Sequence, residues 1–378
     1  MSTLAREKLA GRLSMSLRRS ARPVVIGPSK QQLYHELSKA SAVSNESGMP
    51  LFSPTRLVKP ERWPKLNIQK QAYKPEYYEA ISKILKLREK YQEDRFIFVR
   101  GREMIPLLRS LGARDEDFAT LPSVTNNLHS DPTLPYRKTK NGRFCFDFGT
   151  QTLRRLEFQP FILSENEDFK RYDSGQLRIF DEVEDDLQLN TAFLALFIFK
   201  AIIFHGLPIK QRPNLNYTGD QWVCTLFHLR TITTPDRLGE PALEGVHTDG
   251  VDHTMTTYLG SENMTSDSAV TFMHDASEST GIQLNEANPG LIKARVQHRG
   301  FLDTLMLADH ENKHSVTSVH AVDKSKDANR DMLVFFTRKP TTETHVSGSI
   351  DSLKPHDRLS MEIPLVVPKG SGFDTGLS

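Results

Sequence analysis

Apolar positions change their period along this chain. Between residues 75 and 88 they fall at Tyr77, Ile81, Ile84 and Leu85, the three-and-four spacing of one helix face, and Pro75 with Glu76 suits a first turn. Turn-rich sequence follows through Pro135. From residue 143 short apolar segments recur between turns: 144–148, 156–163, 222–232, 255–259, 269–273, 304–307, 332–337 and 361–367. One helical block, 182–205, interrupts them. Its apolar run 191–204, broken only by Lys200, is shorter than the ~20 residues a bilayer requires, so a buried helix is expected. Many short strands with few helices predict a mainly β protein, an antiparallel sandwich or barrel with helices packed outside. The expected organisation is a poorly ordered basic extension over 1–75, a helical and loop region over 76–140, a β core over 141–345, and a C-terminal strand and tail over 346–378.

Composition narrows the function classes. Hydrophobic residues at 38% and charged residues at 25% describe a globular chain, and a formal charge of +2 offers no basis for binding nucleic acid or an acidic membrane. A small-molecule partner is expected, and the oligomeric state stays open. Two cysteines, Cys145 and Cys224, are too few for a disulfide framework and favour a reducing, cytoplasmic setting. The first 30 residues carry Arg6, Lys8, Arg12, Arg18, Arg19, Arg22 and Lys30 against the single acid Glu7. That bias fits a mitochondrial transit segment and fits a basic tail equally well.

The segment 244–252, Glu-Gly-Val-His-Thr-Asp-Gly-Val-Asp, carries the chemistry. On an extended strand, residues i and i+2 point to one face, so His247 and Asp249 project together as an imidazole and a carboxylate. A third ligand must come from a distant strand. Three histidines compete within 309–320: His310, His314 and His320. His314 opens the alternating stretch His-Ser-Val-Thr-Ser-Val, as a core-facing strand would; His320 is its main rival. Two histidines and one carboxylate on one triangular face leave three positions open, which suits non-haem iron(II). Arg330, at the entrance to the strand 330–337, can form the bidentate carboxylate pair that a lysine cannot. His228 and Arg230 share a strand face, read here as turned inward to a carboxylate, with a surface pair as the alternative. His274 with Asp275 reads as a turn or surface pair, and Asp252 as a residue that fixes the turn at Gly250 or supports a ligand.

The metal motif, the later Ala-Asp-x-x-x-x-His-Ser-Val-Thr-Ser-Val and the following Arg-Asp-Met-Leu-Val resemble the 2-oxoglutarate–iron dioxygenases that include bacterial isoleucine hydroxylases. The similarity covers roughly 140–340. It implies a double-stranded β-helix, a jelly-roll or cupin-like fold, with Fe(II), 2-oxoglutarate and O2 at its centre and ascorbate as a stimulant. It also implies that His247, Asp249 and His314 occupy the metal positions, that Arg330 grips 2-oxoglutarate, and that the substrate is a free L-amino acid hydroxylated at an unactivated carbon. An aliphatic or an acidic substrate such as glutamate, in a specialised biosynthetic pathway, fits that implication. Thr248 stands where the family often has arginine, and 264–269 lacks an expected Gly-Gly-Glu; both lie near the expected substrate mouth. Two other classes use the same residues: a zinc hydrolase with a metal-bound water as nucleophile, and a non-catalytic cupin-like binding module. The hydrolase would not require Arg330, and the binding module would tolerate loss of a ligand, yet all three ligand types are present.

Overall fold

The computed structural model describes residues 65–167 and 169–365, all within one unit of the chain, Val58–Ser378. The basic stretch 1–30 and most of the expected extension lie outside the described residues. The rest of that extension departs from expectation. Leu66 and Ile68 are buried in the core, and helix α1, Ile68–Gln71, is capped by the Asn67 side chain accepting from the Lys70 amide. Helix α2, Pro75–Asp94, forms where the apolar stripe predicts it, with Pro75 in its first turn and Tyr77, Ile81, Ile84 and Tyr91 buried.

The turn-rich region holds more structure than its sequence suggests. Strand β1, Phe96–Val99, is only 4 residues long. Helix α3, Gly101–Ser110, contains Pro106, which reads as a breaker, and helix α4, Asp115–Thr120, is a short acidic turn. Beyond β2, His129–Ser130, come β3, Arg137–Asp147, β4, Thr152–Leu156, and β5, Asp181–Glu182. Of the apolar stretch 156–163 only Leu156 lies in the strand; beyond it Phe161 makes a single bridge to Arg178. Two helices follow, α5, Asp185–Gln188, and α6, Thr191–Phe204. The remaining strands are β6, Gln221–Thr233, β7, His253–Glu262, β8, Val270–Asp275, β9, Ile292–Gln297, β10, Thr304–Ala308, β11, Asn312–Val316, β12, Ala328–Arg338, and β13, Glu362–Pro364.

These strands form two sheets, as expected of a jelly roll. The larger runs β1-β10-β7-β12-β6-β3-β4-β13 with β2 and β5 on β3, and the smaller runs β11-β8-β9. Every pairing is antiparallel except β3 with β5. The large sheet therefore recruits β1 from the N-terminal region and β13 from the C-terminal one, so the β core extends past both expected boundaries.

Helix α6 decides which face of the large sheet is outer. All of its residues are buried, and Phe193, Phe197 and Phe204 meet Phe144, Phe146, Trp222 and Phe335 of the sheet at centroid distances of 4.7–6.0 Å. A fully buried side chain of this size contributes about 1.5–3 kcal/mol, which makes α6 the main hydrophobic anchor of that face. The Asn190 side chain caps it by accepting from the Ala192 and Phe193 amides. The large sheet thus carries α6 on one face and a cavity on the other. Cys145 and Cys224 are buried and unpaired, and no helix of the described residues is long and apolar enough to cross a membrane.

Lys200 is the exception in α6. Its ammonium is fully buried and donates to the carbonyls of His253 at 3.1 Å and Phe335 at 2.7 Å. Burial pushes its pKa down from 10.5 to about 8. Between those values the unfolded chain holds more protons than the folded one, so stability rises with pH across the window and falls as pH drops through 8. Any stability gap favouring Lys200→Met over the wild type should shift toward the wild type, by on the order of 2 kcal/mol, between pH 7.5 and 10. Urea denaturation of both proteins at the two pH values measures it; a gap independent of pH removes the buried-charge account.

Candidate metal centre

The approach to the metal motif is shaped by two glycines. Gly245 has φ +74° and a Cβ there would stand 2.2 Å from the Ile282 carbonyl oxygen. Gly250 also has φ +74°, and its Cβ would crowd Leu163 and Glu167. Between them, His247 exchanges both backbone hydrogen bonds with His314, at 3.0 and 2.9 Å, and so joins the edge of the small sheet beside β11. Asp249 is tied down separately: its amide donates to both carboxyl oxygens of Asp309 at 2.8 and 2.9 Å.

The result is a convergence of His247, Asp249 and His314, all buried, with one candidate ligand atom from each lying within 4.8 Å of the others. Asp249 sits 3.4 Å from His247 Nε2 and 3.6 Å from His314 Nε2. His247 Nδ1 donates to the Gly245 carbonyl at 2.8 Å, which leaves Nε2 free as a ligand atom. The Thr254 hydroxyl donates to Asp249 Oδ2 at 2.6 Å and orients the carboxylate. His314 Nδ1 has no hydrogen-bond partner among the described residues but lies 3.9 Å from Asp309 Oδ1, so a small shift would complete a carboxylate–histidine pair.

The local field suits a cation. Burial alone would lower the His247 pKa, yet Glu244, 3.5 Å from its Nε2, and Asp249 raise it to about 10. Burial opposes ionisation of Asp249, but His314 and His247 hold its carboxyl below the usual range. His314 is pushed down to about 4 by burial and stays neutral, the form that binds metal. Burial, then the charge of Asp249, drives Asp309 well above the usual carboxylate range.

The site opens on a cavity of about 960 Å³, open space at its mouth included. Alternation along three strands supplies its walls: Phe227 and Leu229 from β6, Arg330, Met332, Val334 and Phe336 from β12, and His314 and Val316 from β11. Arg330 is 5% exposed, and its Nε has no partner among the described residues. Burial lowers its pKa to about 10, which leaves it charged at neutral pH. A buried guanidinium with an unmatched nitrogen, in a cavity beside a facial His/Asp/His set, fits the distal carboxylate of an oxoacid chelating a ferrous ion.

Other candidates fall elsewhere. His228 and Arg230 do share a face, but it is the outer one. His228 bonds the Thr125 hydroxyl at 3.0 Å, and burial pushes its pKa down to about 3. Arg230 forms a bidentate pair with Asp331 at 2.7 and 2.8 Å, across its register partner on β12. Neither lines the cavity, so the inward reading is corrected. His320 is exposed and His310 bonds Arg212 at 3.0 Å; neither joins the convergence. His274 is no surface residue: it is buried in β8 against the Ser315 hydroxyl at 2.9 Å, while Asp275 pairs with Lys293 at 3.0 Å. Asp252 braces the turn by accepting from Tyr217 at 2.6 Å and the Lys339 amide at 3.0 Å. Asp309 and Thr254 were missed. The only sequence signal for Asp309 is its place five residues before His314 in the Ala-Asp-x-x-x-x-His pattern.

Comparison with known proteins agrees with this geometry. A family model described as 2OG-Fe dioxygenase matches residues 123–336. The chain is 48% identical over 300 residues to a bifunctional enzyme, flvA, of Aspergillus flavus; the match covers 79% of this chain but 36% of that protein, so it spans about a third of the relative's length. Among solved structures, the Fe(II)/α-ketoglutarate-dependent dioxygenase TqaL is 55% identical with a TM-score of 0.68, over 78% of this chain and 98% of that one. A bsmA homologue from Methylobium petroleophilum, 19% identical over 68% of this chain and 93% of its own with a TM-score of 0.54, shares the fold.

Titration with Fe(II) under anaerobic conditions tests the convergence. Asp249→Ala and His314→Ala should each lose stoichiometric iron binding, while His320→Ala should bind iron as the wild type does. Iron retained by His314→Ala and lost by His320→Ala would reverse the assignment of the third ligand.

Proposed function

The chain belongs to the 2OG-Fe dioxygenase family, and from that premise we propose that it hydroxylates an unactivated carbon of a free aliphatic L-amino acid in a specialised biosynthetic pathway. It is an Fe(II)- and 2-oxoglutarate-dependent dioxygenase, with O2 as the second cosubstrate. The observation that carries the substrate reading is the wall of the cavity. Phe161, Phe227 and Phe336 form a mutually packed aromatic set at 4.9–6.4 Å, with Val334 and Met332 beside them. A surface of that kind receives a small alkyl group, desolvates it and offers no hydrogen bond in return. The resemblance of the metal motif to amino-acid hydroxylases supports the same reading.

In the mechanism we infer, His247, Asp249 and His314 would hold the ferrous ion, since one candidate ligand atom from each lies within 4.8 Å of the others. Bound iron, 2-oxoglutarate and O2 supply the oxidising power, with 2-oxoglutarate converted to succinate and carbon dioxide. Gly245 sets His247 in the tautomer that presents Nε2, and Thr254 and the Asp309-anchored backbone keep Asp249 turned to the same point. Arg330 pairs with the distal carboxylate of 2-oxoglutarate through its unmatched edge. The aromatic wall excludes water and holds the alkyl group toward the metal.

Arg330→Gln should raise the KM for 2-oxoglutarate about 100-fold, with much less change in iron affinity, because a buried bidentate charge pair is lost. Steady-state succinate release at varied 2-oxoglutarate measures this. A panel of free L-amino acids with Fe(II), ascorbate and 2-oxoglutarate tests the substrate class by succinate release and a mass gain of one oxygen atom. Aliphatic members should turn over; turnover of glutamate alone would replace the aliphatic reading with the acidic one, and turnover of none would end the amino-acid reading.

A further inference from the structure

Three arginines, Arg137, Arg171 and Arg178, line the cavity in addition to Arg330. Two of them are matched. Arg137 donates to Asp131 Oδ2 at 2.7 Å, and Arg171 makes a bidentate pair with Asp173 at 2.6 and 2.7 Å. Arg178 is different. It is 4% exposed, and its Nε and Nη2 have no hydrogen-bond partner among the described residues. Its nearest acid, Asp173, stands 4.0 Å away with both oxygens already given to Arg171. Its guanidinium carbon lies over two rings, 4.8 Å from the Phe161 centroid and 4.9 Å from that of Phe169. Its backbone is pinned to Phe161 by two hydrogen bonds at 2.8 and 2.9 Å. The side chain is therefore rigid and charged, and it lacks an internal counter-ion in hydrogen-bonding contact. Leaving such a group buried and unmatched is costly unless a ligand anion completes it.

The cavity thus holds two buried guanidiniums with unmatched nitrogens, and 2-oxoglutarate accounts for one through its distal carboxylate. Glu244 supplies the opposite charge in the same cavity, beside His247 and 12% exposed, so a cation-binding group stands next to the metal motif. We propose that Arg178 and Glu244 are the specificity-determining pair for the substrate, Arg178 binding its α-carboxylate and Glu244 its α-ammonium. A zwitterion is the ligand class that satisfies both at once, and the aromatic set beside Arg178 then receives the side chain. The alkyl group gains little directional contact from that wall, so the charged pair is what selects an α-amino acid and fixes which carbon faces the metal. This inference rests on the amino-acid reading and names the residues that would enforce it.

The test is binding, measured apart from turnover. Substrate entry perturbs the visible charge-transfer band of the anaerobic ferrous–2-oxoglutarate protein. L-valine, L-leucine and L-isoleucine, their amides, and the corresponding carboxylic acids without the amino group are titrated against that band. The wild type should respond to the amino acids, and about 100-fold more weakly to the amides and to the deamino acids. Arg178→Gln should weaken the amino acids about 100-fold and erase the distinction between acid and amide, while leaving the KM for 2-oxoglutarate within about threefold. Arg178→Lys should recover part of the loss. Glu244→Gln should erase the distinction between the amino acids and their deamino counterparts. The band itself reports that each variant is folded and loaded.

An Arg178→Gln protein that still separates acid from amide overturns the inference and leaves the amino-acid reading standing. So does one whose defect lies in the KM for 2-oxoglutarate. A wild type that binds deamino acids as tightly as amino acids removes Glu244 from the pair. A wild type blind to every carboxylate probe removes both this inference and the reading on which it rests.

Discussion

The structure depends on two backbone hydrogen bonds exchanged between His247 and His314. They join His247 to the edge of the small sheet as an isolated bridge and bring together two imidazoles that are distant in sequence, with ring centroids 4.3 Å apart. Asp249, two residues further on, falls on the same face because strand alternation places it there. A shift of one residue in that pairing would turn a histidine away and leave the carboxylate with a single imidazole.

Around this contact the protein spends several polar groups on rigidity. Asp309 receives the Asp249 amide, Thr254 orients its carboxylate, and Gly245 accepts the Nδ1 proton of His247. Each is buried, so solvent does not compete for these bonds. On the far side of the large sheet, α6 supplies bulk rather than chemistry, and its one charge, Lys200, is spent on two sheet carbonyls. The division is physical: one face of the sheet is packed to near-complete dryness by phenylalanines, and the other is left hollow and lined with arginines.

The charge pattern of the hollow follows from the same economy. Arginines with internal partners, such as Arg137 and Arg171, shape the wall; Arg330 and Arg178, which keep unmatched nitrogens, are the ones we propose receive anions. His228 and Arg230 show the converse. They carry the right functional groups, but their partners Thr125 and Asp331 consume them on the outer face, away from the cavity. An ionisable residue in this fold is therefore informative through what it lacks as a partner.

Much of this was legible beforehand. The stripe of α2, the buried character of α6, most strands, and the pair His247 and Asp249 follow from periodicity, which is a local property of the chain. Choosing His314 over His320 rested on one alternating stretch, and it is the tertiary structure that brings His314 alone among the three candidate histidines to the convergence. Alternation also told that His228 and Arg230 share a face but not which face is inner, because β6 carries apolar residues on both faces. The partners of Asp309, the unmatched state of Arg178 and the recruitment of β1 and β13 are long-range facts. They depend on which segments meet in space, and a linear pattern of residues carries no record of that.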